Sequence, residues 1–229
     1  MQIILASASP RRLGLLRQVG IEPLVLPADI DENIPETEPE EKVKKLSLLK
    51  AEAVNRNMNI AALLSGRDSG PGRAFAKEAV IIAADTVVTI DGTILGKPAT
   101  HEEAFDMISR LTGRSHEVYT GVTLLKRNAG TETAAFQSSA ANDENPGSRP
   151  SAASISTFAV RTTVHVGPMT EEEIRSYADS AEPMDKAGAY GIQGAFARYI
   201  SEIEGDYYNV VGLPLYEVMQ GLKEMCYNP

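Results

Sequence analysis

The sequence predicts an α/β chain, and three stretches carry the prediction. Residues 2–20 read as strand, turn and helix in succession. A long amphipathic helix follows at 39–58. A continuous apolar run at 80–84 leads into a hairpin at 87–95. The 229 residues, 43% of them hydrophobic and 23% charged, suit one large domain or two small lobes with a sizeable core.

Each element has a local reason. "QIILA" (2–6) is a short buried strand by its apolar run. Ser9 is placed to cap the first helix, Pro10 to open it and Gly20 to stop it, with Leu13, Leu16 and Val19 as the inward stripe. "EPLVLPADIDENIP" (22–35) is a second strand running into an acidic loop. In the helix at 39–58, Val43, Leu46, Lys50, Ala53 and Asn57 fall on one line, flanked by Leu49 and Val54. Lys50 is the odd member, at or beside the apolar face. In "EAVIIAADTVVTIDGTILGKP" (78–98), Asp91-Gly92 forms the two-residue turn between Val87–Ile90 and Thr93–Leu95. Thr100–Glu103 is a capping box for a helix ending near Gly113. Residues 116–127 form a strand partnered by 157–169, and Thr170–Glu173 is a second capping box, for a helix to about Ser180. "NVVGLPLYEVMQGLKEM" reads as a short strand, a Gly-Leu-Pro break and a last helix. Residues 65–77 and 128–156 are too small and polar to offset their ordering entropy. They are expected as mobile surface insertions in a single domain spanning 1–229.

Charge narrows the function. A net charge of −9 and a pI near 4.9 argue against binding of bulk nucleic acid. A local cationic pocket on an acidic body would suit a small anion. One cysteine, Cys226, permits neither an internal disulfide nor a thiolate cage and points to a reducing cytoplasm. "MQIILASASPRR" lacks a basic leader region, and no stretch approaches a membrane span.

Several residues could carry chemistry. Ser7, Ser9, backbone N–H groups, Arg11 and Arg12 gather at one helix start, an anion site by dipole, donors and charge together. Two solvent-facing arginines are the plainer reading, and the two weigh evenly. Asp85 interrupts an apolar run, and a buried carboxylate is costly unless paired. It reads as a general base or metal ligand at the end of a central strand, or more plainly as an aspartate capping a turn. Thr86 adds a hydroxyl. Pro98 makes Lys97 extended, so that it can reach back towards Asp85. "DKAGAYGIQG" (185–194) gathers Asp185, Lys186, Tyr190 and Gln193 among three glycines. Such a stretch lets backbone approach a ligand, and the Gln193 amide could read a base edge; a flexible loop is the plainer reading. His101, His116 and His165 lack metal-ligand spacing. His101 is expected to be exposed and His165 structural. Any metal is expected to be a hard divalent ion, with Asp85, Asp31 and Glu32 as candidate carboxylates.

"LASASPRR", "DIDE", "LSLLKAEAV", "AADTVV", "GKP", "YTGV", "DKAGAYGIQG" and "VVGLPL", in that order, resemble the Maf family of nucleotide pyrophosphatases across nearly the whole chain. The resemblance implies a mixed α/β fold related to inosine triphosphate pyrophosphatases, with two lobes flanking a central cleft in a homodimer. It implies cleavage of a nucleoside triphosphate to the monophosphate and pyrophosphate with Mg2+ or Mn2+. By position, Asp85 matches the catalytic base, and Ser7, Arg11, Arg12, Glu32, Lys50 and Lys97 match residues that handle phosphate and metal, with Glu32 and Asp85 on the metal. Lys186 joins the substrate-binding set. Arg12, Thr86 and Gln193 match positions linked to base preference and resemble the subgroup acting on dTTP and UTP rather than on 7-methyl-GTP or ITP. A nucleotide-binding regulator of septum formation without turnover is the rival reading. Asp85, Lys50 and Lys97 stand against it, because a binder needs no base.

Overall fold

The computed structural model describes residues 1–56, 78–128 and 154–227. Seven strands form one mixed sheet in the order β2-β1-β3-β5-β6-β7: β1 (Gln2–Leu5), β2 (Leu24–Val25), β3 (Glu78–Ile90), β5 (Ser115–Asn128), β6 (Ser154–Val166) and β7 (Ile200–Glu204), with β4 (Thr93–Leu95) paired to β3. β1 runs parallel to β2 and β3, and the remaining pairs are antiparallel. Among the described residues the α-helices are α1 (Pro10–Gln18), α2 (Pro39–Arg56), α3 (His101–Leu111), α4 (Glu171–Ala178), α5 (Tyr207–Val211) and α6 (Leu215–Glu224).

Alternation along β1 and β3 sends side chains to two faces. Ile3, Leu5, Val80, Ile82 and Ala84 pack with Leu15 and Leu16 of α1 and with Val218 and Leu222 of α6. Ile4, Ala79, Ile81 and Ala83 pack on the other face with Ala51 and Val54 of α2. A further core lies at the far end of the long strands. There Val88, Ile90, Val118 and Val164 meet Ile108 of α3, Ile174 of α4 and Phe196. Two packed ends therefore share β3 and β5.

Between those ends lies the position that the fold leaves open. β1 pairs with β3 only as far as Leu5↔Ile82, and β4 joins the same edge only from Val88 onward. Asp85 and Thr86 fall in that gap, beyond the carboxyl end of β1, where open α/β sheets place their ligands.

Some sequence expectations need correction. Asp85 lies mid-strand, paired with Gly121 of β5, and caps no turn. Residues 207–211 form the short helix α5 instead of a strand, because Asp206 caps its start and Gly212, at φ +118°, closes its end. The Thr100 hydroxyl accepts from Glu103 N as expected, but Glu103 reaches back to Ala99 N, one residue short of a full box. The Thr170–Glu173 box is complete. Leu15 is buried on α1 alongside Leu16, whereas Leu13 and Val19 are only partly so. On α2 the fully inward line is Val43, Leu46, Ser47, Lys50, Ala51 and Val54, with Ala53 half-buried. The expected insertion at 65–77 lies outside the described residues, as does most of the one at 128–156, but 128 and 154–156 belong to β5 and β6.

Candidate active site

A cleft of about 620 Å³ opens over the gap in β3. Ser7, Arg11, Arg12, Glu32, Lys50, Asp85, Thr86, Lys97, Lys186 and Gln193 all line it. They come from the β1–α1 turn, the first turn of α1, the loop after β2, α2, β3, the segment after β4 and the 185–194 loop. Among the described lining residues, six cations (Arg11, Arg12, Lys42, Lys50, Lys97, Lys186) face three carboxylates (Glu32, Asp85, Asp185). The cleft is thus a positive region on an acidic chain.

The alternation that sorts the core also sorts the site. Asp85 continues the face of Ile81 and Ala83 and meets α2. There Lys50 Nζ donates to Asp85 Oδ1 at 2.6 Å and lies 2.8 Å from Glu32 Oε1. Lys50 reaches this depth because α2 lies directly on β5: a Cβ on Gly121 would stand 2.3 Å from the Val43 carbonyl. Asp85 and Lys50 are buried, while the Glu32 side chain is more than half exposed. Burial alone would raise the Glu32 carboxyl. The Lys50 hydrogen bond and charge, with Lys97 and Arg12 beyond, more than offset this and hold it below its ordinary value.

Thr86 continues the opposite face and meets α1. Arg12 donates from Nε to the Gly212 carbonyl at 2.8 Å, from Nη1 to Ser7 Oγ at 3.2 Å and from Nη2 to Thr86 Oγ1 at 3.0 Å. Burial pulls this guanidinium below its ordinary pKa, Asp85 and Glu32 oppose that, and Arg11 adds to it. The Ser9 hydroxyl caps α1 by accepting from Arg12 N, and Ser7 Oγ accepts from Ser9 N. The helix start is therefore a built site, and its arginines do not simply face solvent.

Arg11 already has an anion. It pairs with Asp185 at 2.9 Å, and Lys186 Nζ lies 2.6 Å from the other oxygen of the same carboxylate. Burial would raise Asp185, and Lys186 and Arg11 together hold it below its ordinary value. Nothing local in the sequence signals this role of Asp185, because its partner lies 174 residues away. Lys97 is exposed, lines the cleft and makes no ion pair with Asp85 among the described residues. Gln193 is exposed and also lines the cleft.

Tyr190 closes the floor of the 185–194 loop. Its hydroxyl lies 2.7 Å from His116 Nε2, with the rings edge to face at 5.2 Å. Burial, with a smaller push from His165, takes His116 down to about 4, so it is neutral at physiological pH. His116 Nδ1 has no hydrogen-bond partner among the described residues. His101 is exposed, and His165 bridges Ser115 and Glu204.

Asp85 and Glu32 offer oxygen donors that already converge on one cation, the Lys50 ammonium. A hard divalent ion fits such a pair when phosphate oxygens complete its shell. Among the described residues no group of three or more His, Cys, Asp or Glu could form a closed metal cage. Asp31 does not join the pair: its Oδ1 accepts from Asn33 N, and it does not line the cleft.

Comparison with known proteins agrees with the geometry. The family model described as Maf-like protein matches residues 2–225. The chain is 42% identical over 227 residues to the dTTP/UTP pyrophosphatase of Carboxydothermus hydrogenoformans, covering 99% of this chain and 100% of that protein. It is 41% identical to the dTTP/UTP pyrophosphatase of Symbiobacterium thermophilum, over 99% of this chain and 95% of that one. It is 42% identical to that of Agathobacter rectalis, over 98% and 97% respectively. The chain belongs to the Maf family.

Proposed function

We propose that the protein hydrolyses dTTP and UTP to the monophosphate and pyrophosphate, acting on standard or modified pyrimidine nucleotides to keep the pool clean. The observation that carries this reading is the cleft itself: a buried carboxylate, Asp85, stands beside several cations that can offset a triphosphate. Full-length similarity to proteins named dTTP/UTP pyrophosphatase supports the choice of substrate.

In this account Arg11, Lys97 and Lys186 draw the phosphate chain into the cleft. Lys50, 2.6 Å from Asp85 Oδ1, fixes where that carboxylate points. Asp85 orients a water and accepts its proton as the water oxygen bonds to the α-phosphorus. The α-phosphorus–oxygen bond then breaks, and pyrophosphate leaves with the electron pair. Such chemistry depends mainly on positioning and electrostatic stabilisation. Mg2+ or Mn2+, held by Asp85, Glu32 and phosphate oxygens, would supply further stabilisation of the developing charge. Arg12, Thr86 and Gln193 would meet the base. A homodimer and a cytoplasmic setting belong to the same proposal, on the family resemblance and the single cysteine; no described helix is long and apolar enough to cross a membrane.

The test is pyrophosphate release from dTTP, UTP, CTP, GTP, ITP and 7-methyl-GTP. Wild type should act on dTTP and UTP, and Asp85→Asn should lose about 10³-fold in kcat, within the usual range for a general base. Full activity of a folded Asp85→Asn protein would remove Asp85 from its role. Release from purines alone would overturn the choice of base.

A further inference from the structure

Behind Thr86 lies a chain of hydroxyls whose direction can be worked out. Thr86 and Thr120 stand directly opposite each other on β3 and β5, with their hydroxyl oxygens 3.0 Å apart. Thr120 is fully buried, and its hydroxyl lies 2.9 Å from the Asn209 carbonyl. A carbonyl has no proton to give, so that contact uses the single proton of Thr120. The contact between the threonines must then use the proton of Thr86. Were it turned elsewhere, two oxygen lone pairs would face each other in a buried site. The far anchor is rigid: Asn209 is buried, and its Nδ2 donates to the Val118 carbonyl at 3.0 Å and to Thr162 Oγ1 at 2.9 Å.

On the cleft side, Thr86 Oγ1 already accepts from Arg12 Nη2 at 3.0 Å. Its proton is committed to Thr120 and one lone pair to Arg12. What remains for a ligand is one acceptor site and no donor. A phosphate oxygen, itself an acceptor, gains nothing there. The group that meets Thr86 must carry a proton.

We infer that Thr120 is a specificity-positioning residue: by fixing the direction of the Thr86 hydroxyl, it makes the cleft accept the ring N3–H of uracil or thymine and reject the unprotonated ring nitrogen of cytosine. This rests on the pyrimidine triphosphate reading above. dTTP and UTP share the ring N–H and a 3′-hydroxyl, and CTP has the hydroxyl without the ring N–H. CTP also carries an exocyclic amine, so UTP is compared both with CTP and with 3-methyl-UTP, which keeps the 3′-hydroxyl and loses only the ring N–H.

The experiment compares kcat/KM for UTP, CTP and 3-methyl-UTP in wild type, Thr120→Val and Thr120→Ser. Valine keeps the shape of threonine but removes the hydroxyl, leaving the Thr86 proton free to turn towards the cleft. The UTP-to-CTP ratio should fall about tenfold or more in Thr120→Val and stay at the wild-type value in Thr120→Ser. Wild type should process 3-methyl-UTP at least about tenfold more poorly than UTP. This arm needs no variant, so ready use of 3-methyl-UTP overturns the inference even if Thr120→Val fails to fold, and the Thr120→Ser ratio then reads the role of the Thr120 hydroxyl. An unchanged ratio in folded Thr120→Val, or 3-methyl-UTP used as readily as UTP, overturns the inference and leaves the pyrimidine reading intact. Wild type that acts on neither UTP nor dTTP overturns both.

Discussion

Lys50 is where burial and charge meet most sharply. Its ammonium is shared between Asp85 at 2.6 Å and Glu32 at 2.8 Å, and both Lys50 and Asp85 are buried. Removing one member of a buried pair leaves the other charged and unpaired, which costs roughly 3–5 kcal/mol. Lys50→Met should therefore lower stability by about 3 kcal/mol in urea unfolding at pH 7, and adding Asp85→Asn should restore part of that loss. A double variant no more stable than Lys50→Met would mean that the two side chains are not energetically coupled. His116 gives a pH signature. Burial holds it near 4 in the fold against 6.5 for the free side chain. Between those values the unfolded chain binds the extra proton, so stability falls as pH drops from about 6.5 towards 4, by on the order of 3 kcal/mol. His116→Gln should flatten that part of the profile in thermal melts between pH 7 and 4.5. A profile as steep as wild type would place the acid sensitivity elsewhere.

Elements show what the sequence discloses and why it stops. Ser9-Pro10, Asp91-Gly92 and Thr170–Glu173 act through neighbours a few residues away, so their caps and turns were legible. Lys50 and Asp85 were legible as anomalies, charges in apolar patterns. α5 was not, because the β-branched pair Val210-Val211 suggests a strand while Asp206 and Gly212 enforce a helical turn. Nor were the Arg11–Asp185 pair and the Thr86–Thr120–Asn209 chain, which depend on strand register and on packing between distant segments. The YTGV segment shows how an element sets the site. Gly121 admits α2 to within contact of β5, and a Cβ there would meet the Val43 carbonyl carbon and oxygen at 2.3 Å. Backbone cannot yield as a side chain would, so Gly121→Ala should displace α2 and cost at least about 2 kcal/mol. Because α2 carries Lys50, kcat should fall with stability, roughly 10²-fold for a displacement on the order of 1 Å. Denaturant unfolding and steady-state kinetics on the same preparation check both. Loss of stability with kcat unchanged would separate the helix seat from the catalytic geometry.

At the scale of the whole molecule, one sheet joins two cores and leaves its polar interruption between them. β3 and β5 run through both ends, and Asp85, Thr86, Thr120 and Gly121 occupy the stretch where neither core is continuous. Alternation along β3 then turns Asp85 towards Lys50 and Glu32 and Thr86 towards Arg12. On the proposed reading, one strand would serve the reacting phosphorus on one side and the base on the other. The chain carries a net charge of −9, yet its cleft is positive, which favours a compact anion over an extended polyanion. The proposed reaction turns on attack of water at the α-phosphorus in this cleft. The measurement that reaches it most directly is hydrolysis of UTP in ¹⁸O-water with mass analysis of both products. UMP should carry one ¹⁸O and the pyrophosphate should be unlabelled. Label in the pyrophosphate would place the attack at the β-phosphorus, and UDP with inorganic phosphate would place it at the γ-phosphorus; either result contradicts the account.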